Sequence, residues 1–204
     1  MFLNILIRRF KKFPLSSPLG NIYLMIRWKC LISIWAKIEY PFNVRIGRKT
    51  TIGKVTFRSD GNFALVKSKY YLEIGHSSII KDQVYIDSQD GRISIGNYCS
   101  INPNCILYGS GSIKILDNTR IASSCNIIAS GHDYNDSSKL IRETHVSKGI
   151  LIKNNVWIGA NCTIIDGSII NGNSVIGASS LVNKIVEENS IGFGIPYKNY
   201  KFRE

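Results

Sequence analysis

The feature that most constrains this chain is an aliphatic residue that recurs every six positions, usually followed by a small or polar residue. The repeat runs from about Val44 to Ile127 and resumes from Ile152 to Val182, with clear units at Ile46-Gly47, Ile52-Gly53, Ile158-Gly159 and Ile176-Gly177. A period of six is neither the helical period nor simple strand alternation, and it is typical of a parallel β-helix built from hexapeptides. Each unit supplies one short strand and a turn, and three units close one triangular coil.

A second inward position lies four residues after the aliphatic one, where only a small side chain fits. It is occupied by Thr50, Ser78, Cys99, Cys105, Cys125, Cys162, Ser168, Ser174 and Ser180. Four of the five cysteines therefore share one repeat position, which favours buried packing over a catalytic thiol. Their spacing also argues against disulfides and against a thiolate metal site.

The first 43 residues have a different character. Two basic amphipathic helices are predicted, over residues 2–13 and 22–38, and residues 1–40 hold seven basic residues against one acidic residue, Glu39. That imbalance is half of the formal net charge of +12. We expect this segment either to cap the domain or to lie on an anionic membrane surface. Because the charge concentrates there, a nucleic-acid partner is not expected.

We therefore expect two parts, residues 1–43 as the helical segment and residues 44–204 as the β-helix domain. Arg27 and Lys29 interrupt the second apolar run, which argues against a transmembrane span. No convincing secretory signal is present, so a cytoplasmic location is expected, at the inner face of the membrane if the helices bind lipid.

Four segments, in this order, resemble the hexapeptide-repeat acyltransferases: GHDY at 131–134, NVWIGAN at 155–161, IGASSLVNK at 176–184 and GIP at 194–196. The chain is most similar to acetyl-CoA-dependent sugar O-acetyltransferases, including galactoside, maltose, exopolysaccharide and O-antigen acetyltransferases. The resemblance covers about residues 44–204. It implies an all-β, left-handed parallel β-helix, a homotrimer with active sites between subunits, acetyl-CoA as the donor and no metal.

The resemblance also implies roles for individual residues. An alcohol needs a base to become a nucleophile at neutral pH, and the family's base corresponds to His132, at the start of a loop over residues 130–149. Acceptor contacts fall on Asn102 and on the loop residue Asp133. The implied donor contacts are Trp157, Ala160, Ala178, Lys184, Lys198 and Lys201. Asn183 stands where threonine is usual, which weakens the match at Lys184.

The sequence thus predicts acetyl transfer to a hydroxyl of a surface polysaccharide or its precursor. Two alternatives stay open: an N-acetyltransferase acting on an amino-sugar nucleotide, and a non-catalytic solenoid that binds a partner. A zinc carbonic anhydrase on the same helix would need three clustered histidines, whereas His76, His132 and His145 are expected to be far apart or wrongly spaced. His76 is expected on the surface, and His145 either exposed in the loop or touching donor or acceptor.

Overall fold

The computed structural model describes residues 18–59 and 70–204. Within them three sheets, parallel except for the last strand of one, form the walls of a triangular helix. We name the sheets A, B and C and number the strands in chain order. Each coil runs from sheet A through sheet B to sheet C, so the corners are A–B, B–C and C–A. The predicted helix over residues 2–13 lies outside the described residues.

The strands are short, most of them two or three residues. Sheet A contains β1 (Leu31–Ile32), β4 (Thr51–Ile52), β7 (Ile79–Ile80), β10 (Ser100–Ile101), β13 (Arg120–Ile121), β18 (Trp157–Ile158), β21 (Val175–Ile176), β24 (Ser190–Phe193) and β25 (Lys198–Phe202). Sheet B contains β2 (Lys37–Ile38), β5 (Thr56–Arg58), β8 (Tyr85–Asp87), β11 (Ile106–Tyr108), β14 (Asn126–Ile128), β19 (Thr163–Ile165) and β22 (Leu181–Val182). Sheet C contains β3 (Val44–Ile46), β6 (Leu72–Ile74), β9 (Ile93–Ile95), β12 (Ile113–Ile115), β17 (Ile150–Ile152), β20 (Ile169–Ile170) and β23 (Ile185–Val186).

The six-residue period produces this architecture because every repeated aliphatic residue enters the same core. Ile80, Ile101 and Ile121 pair in register on sheet A, and all three are fully buried. Equivalent pairings stack the aliphatic residues of sheets B and C. The predicted left-handed parallel β-helix of hexapeptide repeats is confirmed.

The second inward position is also confirmed, and it does more than fill space. All nine predicted residues at this position are buried, and the five cysteines are free thiols. Several of these side chains donate to a carbonyl oxygen of the next coil: Thr50 Oγ1 to Gly75 O at 2.7 Å, Ser78 Oγ to Gly96 O at 2.9 Å and Cys125 Sγ to Gly159 O at 3.1 Å. The small residues therefore connect successive coils.

The predicted helix over residues 22–38 is wrong beyond Trp28. Helix α1 spans Pro18–Trp28, and β1 and β2 pair in parallel with β4 and β5, so the coils begin earlier than expected. Cys30, Ile32, Ala36 and Ile38 are buried. Their two-residue spacing within each pair suits a strand, and pairing satisfies backbone groups along the edges of β4 and β5. The division between residues 43 and 44 stays a prediction.

The last coil is closed by a hairpin. β25 turns back antiparallel on β24, and Tyr197 between them is 2% exposed. The Tyr197 hydroxyl lies 3.1 Å from Ser190 Oγ, and the backbone N–H of Tyr197 donates to Leu181 O at 2.7 Å. The aromatic ring thus fills the open end of the core.

Candidate active site

His132 lies on a short ribbon that leaves the helix at the B–C corner. β15 (Gly131–His132) pairs antiparallel with β16 (His145–Val146), and these two strands form a separate sheet outside the coils. The segment follows β14 of sheet B and rejoins the helix at β17 of sheet C. His132 is exposed, so its ring is accessible to a substrate.

The ribbon brings the two loop histidines together, which the sequence did not indicate. His132 and His145 are register partners, and their ring centroids lie 5.9 Å apart with the planes at 82°. Of the two expectations for the three histidines, far apart or wrongly spaced, the first does not hold for this pair. His76 is exposed, as expected, and packs edge-on against Tyr98 at the C–A corner.

A chain of hydrogen bonds holds His145. Its Nε2 lies 3.1 Å from Ser130 Oγ and 3.3 Å from Ser110 Oγ, and Ser110 Oγ donates to Asp90 Oδ1 at 2.8 Å. A serine hydroxyl has one hydrogen to donate, and here Ser110 donates it to the Asp90 carboxylate. The Ser110 oxygen is therefore the acceptor toward His145, whose Nε2 carries the hydrogen.

The loop is anchored where it rejoins the helix. The Asp166 carboxylate accepts the backbone N–H of Lys148, at 2.7 Å to its nearer oxygen, and that of Gly149 at 2.8 Å. Gly149 has φ of 88°, a conformation that glycine adopts without steric cost. At the other end, the Asp133 N–H donates to Thr144 O at 2.8 Å. Hydrogen bonds thus hold both ends of the loop.

The acidic side chains of the loop mostly bind within it. Asp133 Oδ1 accepts the backbone N–H and the side-chain amide of Asn135, at 3.1 and 2.7 Å, and these bonds lower the pKa of Asp133. Bonds from Ser138 likewise lower the pKa of Asp136, which also pairs with Lys139. An acceptor role for Asp133 stays a prediction.

Asn102 lies at a different corner from His132. It follows β10 at the A–B corner, and its Nδ2 donates to Ile121 O at 2.8 Å. Asn171 makes the same kind of bond to Val186 O at 2.8 Å, so this contact belongs to coil stacking. Sheet B separates Asn102 from His132 in one chain. Acceptor binding by Asn102 stays a prediction.

Three of the predicted donor residues lie on the later coils, along sheet A and the A–B corner. Trp157 on β18 is 57% exposed. Ala160 and Ala178 follow on successive coils, where Ser179 N–H donates to Ala160 O at 2.8 Å. A Cβ at Gly159 would lie 2.6 Å from Ala178 N, so the close approach of these coils requires glycine. Backbone and small side chains at Gly159, Ala160 and Ala178 thus form a surface beside the exposed indole of Trp157, and we call this surface the donor wall.

The three predicted lysines occupy two places. Lys198 and Lys201 lie on β25, opposite Phe193 and Ile191, and both are exposed. Lys184 is also exposed, but it lies between β22 and β23 at the B–C corner. Lys184 therefore shares its corner with the His132 loop, on a later coil, and is separated from Ala160 and Ala178 by sheet B.

A groove of about 700 Å³ runs along sheet C where the loop rejoins the helix. Its lining includes Lys114, Lys148, Leu151 and Ile169, and His132 is not among the lining residues. His132 lies at the B–C corner, whereas the donor wall lies along sheet A and the A–B corner, so the two face different sides of one chain. Within the described ranges, no group of three histidine, cysteine or acidic side chains is arranged to hold a metal ion.

Comparison with known proteins identifies relatives with a common chemistry. The galactoside O-acetyltransferase of Escherichia coli K12 is 32% identical over 133 residues, which are 65% of this chain and 64% of the relative. The curated relatives that this chain matches are named acetyltransferases or acyltransferases. The chain spans less than two thirds of the length of the galactoside O-acetyltransferases that it matches. No protein-family model matches the sequence.

Two further matches extend the comparison. The putative lipopolysaccharide biosynthesis O-acetyltransferase WbbJ of Escherichia coli K12 is 28% identical, over 60% of this chain and 78% of the relative. The N-acyltransferase AntD of Bacillus cereus, solved with dTDP-4-amino-4,6-dideoxyglucose and coenzyme A, superposes with a TM-score of 0.60 over 88% of this chain and 86% of that one. At 19% identity this structure supports the fold alone.

Sequence reasoning missed Asp90, Ser110 and Asp166. Asp90 and Ser110 are 20 residues apart, and so are Ser110 and Ser130. Asp90, Ser110 and Ser130 thus occupy the B–C corner of successive coils, and the 20-residue coil length was the signal that could have found the first two. Asp166 precedes Gly167, and this Asp-Gly pair is a common turn sequence that gave no hint of a loop anchor.

Proposed function

We propose that this chain is an acetyl-CoA-dependent O-acetyltransferase that acts on a sugar hydroxyl of a surface polysaccharide or its precursor. The observation that carries the proposal is an exposed histidine, His132, on a ribbon outside the coils of a chain whose homologues are acetyltransferases. The galactoside and lipopolysaccharide O-acetyltransferases among the relatives support a hydroxyl acceptor.

In the proposed reaction His132 takes the proton of the sugar hydroxyl as its oxygen attacks the thioester carbonyl carbon. The tetrahedral oxyanion that forms is stabilised by a backbone N–H or a similar donor. It collapses by breaking the carbon–sulfur bond, and the departing thiolate receives the proton from His132. The products are an acetyl ester and coenzyme A, and the histidine returns to its starting state.

His145 is proposed as a positioning residue for His132. The bonds to Ser110 and Ser130 orient the His145 ring, and its edge-to-face packing restricts how the His132 ring can turn. Asp90 accepts the hydrogen bond from Ser110, and its negative charge compensates the positive charge that develops on the histidine pair during proton transfer.

The proposed donor site consists of Trp157 beside the pantetheine arm, with Ala160 and Ala178 lining the slot and Lys198 and Lys201 as cationic contacts. Lys184, at the corner of His132, would reach this site from the subunit that supplies the base. Because the donor wall and His132 face different sides of one chain, a complete site needs a second subunit. A homotrimer supplies it, with the base from one chain and the donor wall from its neighbour. Tyr134, Leu140 and Ile141 expose apolar surface on the loop, as expected of a segment that contacts another chain or a substrate. A solution mass of three chains is expected by light scattering, and a fully active monomer would contradict the assembly.

A test of the chemistry compares His132→Ala with the wild type in an assay of acetyl-CoA consumption against sugars and polysaccharide fragments. General-base removal lowers turnover by about 10²- to 10⁴-fold. Because His132 is exposed, coenzyme A binding and thermal stability should stay near wild type. Unchanged turnover would overturn the assignment, and loss of coenzyme A binding would mean that His132 acts in donor binding instead.

A second candidate is N-acylation of an amino-sugar nucleotide, supported by the dTDP-4-amino-4,6-dideoxy-D-glucose acyltransferase of Escherichia coli, which is 27% identical over 65% of this chain. The product decides between the two, since mild alkali cleaves an acetyl ester and leaves an amide intact. A third possibility, a solenoid that only binds a partner, predicts no heat change when coenzyme A is titrated into the protein.

We also propose a cytoplasmic protein whose residues 1–40 associate with an anionic membrane surface. The basic composition of that segment supports this, and among the residues described no helix is both long and apolar enough to cross a bilayer. Residues 31–38 belong to the coils, so the test keeps the full chain and changes Arg8, Arg9, Lys11 and Lys12 to glutamine. Equal vesicle binding by this variant would argue against the proposal.

A further inference from the structure

A second concave surface, the basic groove, lies at the C–A corner of the first coils. It has a volume of about 610 Å³, and its charged lining consists of Arg27, Lys29, Arg45, Arg48 and Lys49, joined by His76. No aspartate or glutamate is among the groove's described lining residues. This is a different corner from the B–C corner that carries His132, and it belongs to earlier coils. The groove is therefore distinct from the candidate active site.

The cations of the basic groove are stacked by the helix itself. Lys49 N–H donates to Lys29 O at 3.1 Å, and Ser77 N–H donates to Arg48 O at 2.9 Å, so equivalent corner positions of neighbouring coils are in register. Successive coils are separated by the strand spacing of about 4.8 Å. Lys29 and Lys49 thus project from adjacent levels, and so do Arg48 and His76.

The backbone at this corner does not call for these residues. The turn residue is left-handed in each described coil, with φ of 51° at Lys29, 58° at Lys49 and 55° at both Ser77 and Tyr98. Later coils fill the same position with Asn118, Asn155, Asn173 and Asn189. Asparagine adopts this conformation more readily than lysine or tyrosine does. The early coils therefore carry two lysines, a serine and a tyrosine at the position where the later coils carry asparagine.

The amides of the later coils also bond to one another, which the lysines cannot do. Asn155 Nδ2 donates to Asn173 Oδ1 at 2.8 Å, and Asn173 Nδ2 donates to Asn189 Oδ1 at 3.0 Å. The early coils lack this ladder and crowd like charges instead. Such crowding is unfavourable unless an anion is present. The two halves of one corner thus differ in their chemistry.

Little within the described chain compensates that charge. Of the five cations, Arg45 alone has a salt bridge among the described residues, to Glu73 at 4.0 Å. Arg27 lies over the Trp28 ring at 5.0 Å, which leaves its charge uncompensated by a carboxylate. Arg48 and Lys49 are both exposed at the mouth. These positions can reach an incoming anion.

We propose that the basic groove is a binding site for a phosphate-bearing ligand. Arginine and lysine are the residues that bind phosphate, through forked and point-charge hydrogen bonds respectively. Two stacked levels of cations suit two phosphoryl groups held at neighbouring heights. Trp28 and Tyr98 in the lining provide aromatic surface for the organic part of such a ligand. The phosphate can belong to a soluble diphosphate or to a lipid headgroup, and both present the same chemistry.

The test uses the full-length protein and inorganic diphosphate in a calorimetric titration at low ionic strength. The variant carries Arg48→Gln and Lys49→Asn, because asparagine suits the left-handed turn and should preserve the fold. The matched control carries Lys54→Gln and Lys81→Gln, two exposed lysines of the same region at the A–B corner. Both double variants lose the same charge.

We expect saturable binding by the wild type, at least tenfold weaker binding by the groove variant and unchanged binding by the control. Equal weakening in both variants would mean a net-charge effect and would overturn the proposal. So would binding that persists in the groove variant, since the phosphates then bind outside the groove. Flotation with phosphatidylglycerol and phosphatidylcholine vesicles distinguishes the sources. Binding to the anionic vesicles that diphosphate displaces assigns a headgroup, and diphosphate binding without vesicle binding assigns a soluble ligand.

Discussion

Cys125, one of the stacked thiols at the A–B corner, provides a test of whether these thiols serve packing or catalysis. Cys125 is fully buried between Cys105 and Cys162 on the neighbouring coils, and its Sγ donates to Gly159 O. A hydrogen bond to Cys105, reinforced by burial, raises the pKa of the Cys125 thiol to about 11. At neutral pH it is therefore a thiol and not a nucleophilic thiolate. We predict that Cys125 contributes to stability and takes no part in the reaction.

The expected magnitude for Cys125→Ala follows from three contributions. Loss of the buried sulfur costs about 1 kcal/mol, by analogy with a buried methylene. A cavity of roughly 20 Å³, at about 24 cal/mol per Å³, adds about 0.5 kcal/mol. Loss of a weak hydrogen bond adds about 0.5 kcal/mol. The sum of about 2 kcal/mol corresponds to a fall in Tm of about 4–8 °C for a chain of this size.

Cys125→Ser is the matched control, because Ser78 occupies the equivalent small position at the C–A corner and donates to Gly96 O of the next coil at 2.9 Å. We expect its free energy of unfolding to lie within about 1 kcal/mol of wild type, since a serine there keeps the hydrogen bond. Thermal and urea unfolding measure stability, and acetyl-CoA consumption at 25 °C measures turnover. Both variants should keep wild-type turnover. A Cys125→Ser protein with normal Tm and no turnover would refute the reasoning and point to an acyl-enzyme.

Two further changes test the candidate site. His145→Gln should lower kcat about tenfold, below the loss from removing the base itself, with the KM for acetyl-CoA and the Tm unchanged. Lys153→Gln, at an exposed position outside both proposed sites, is its control, and a kcat of His145→Gln equal to that of Lys153→Gln would exclude the positioning role. Tyr197→Ala should destabilise the end of the helix by about 3–5 kcal/mol and raise the KM for acetyl-CoA, because the hairpin carries Lys198 and Lys201. Tyr197→Phe, which keeps the ring, should cost only about 1 kcal/mol, and an unchanged KM in Tyr197→Ala would remove the lysines from the donor site.

The coil core was predictable because its determinants are local and repeated. Ile80, Ile101 and Ile121 each satisfy the same six-residue rule, and Cys99 or Ser174 satisfies the rule for the small position. Residues 30–38 were not predictable in the same way. Leu31, Ile32 and Trp35 fit a helical stripe, and only the exposed edges of β4 and β5 decide in favour of strands. That information lies some 20 residues away in the sequence.

The candidate site divides along the same line. His132 follows from a four-residue motif, whereas its partner His145 follows from the register of an antiparallel ribbon that closes a loop. Asp90 and Ser110 join the site because coils stack, so residues 20 and 35 positions apart come within hydrogen-bond distance. No local pattern encodes these contacts.

The C-terminal hairpin also determines where the stack ends. A further coil could add only through parallel strands, but sheet A finishes in the antiparallel strand β25, which presents Lys198 and Lys201 at its edge. A second copy that approached this edge would meet the wrong strand direction and repelling charge. β25 therefore acts against fibre growth, and the same five residues that close one molecule keep sheet A from being extended by another.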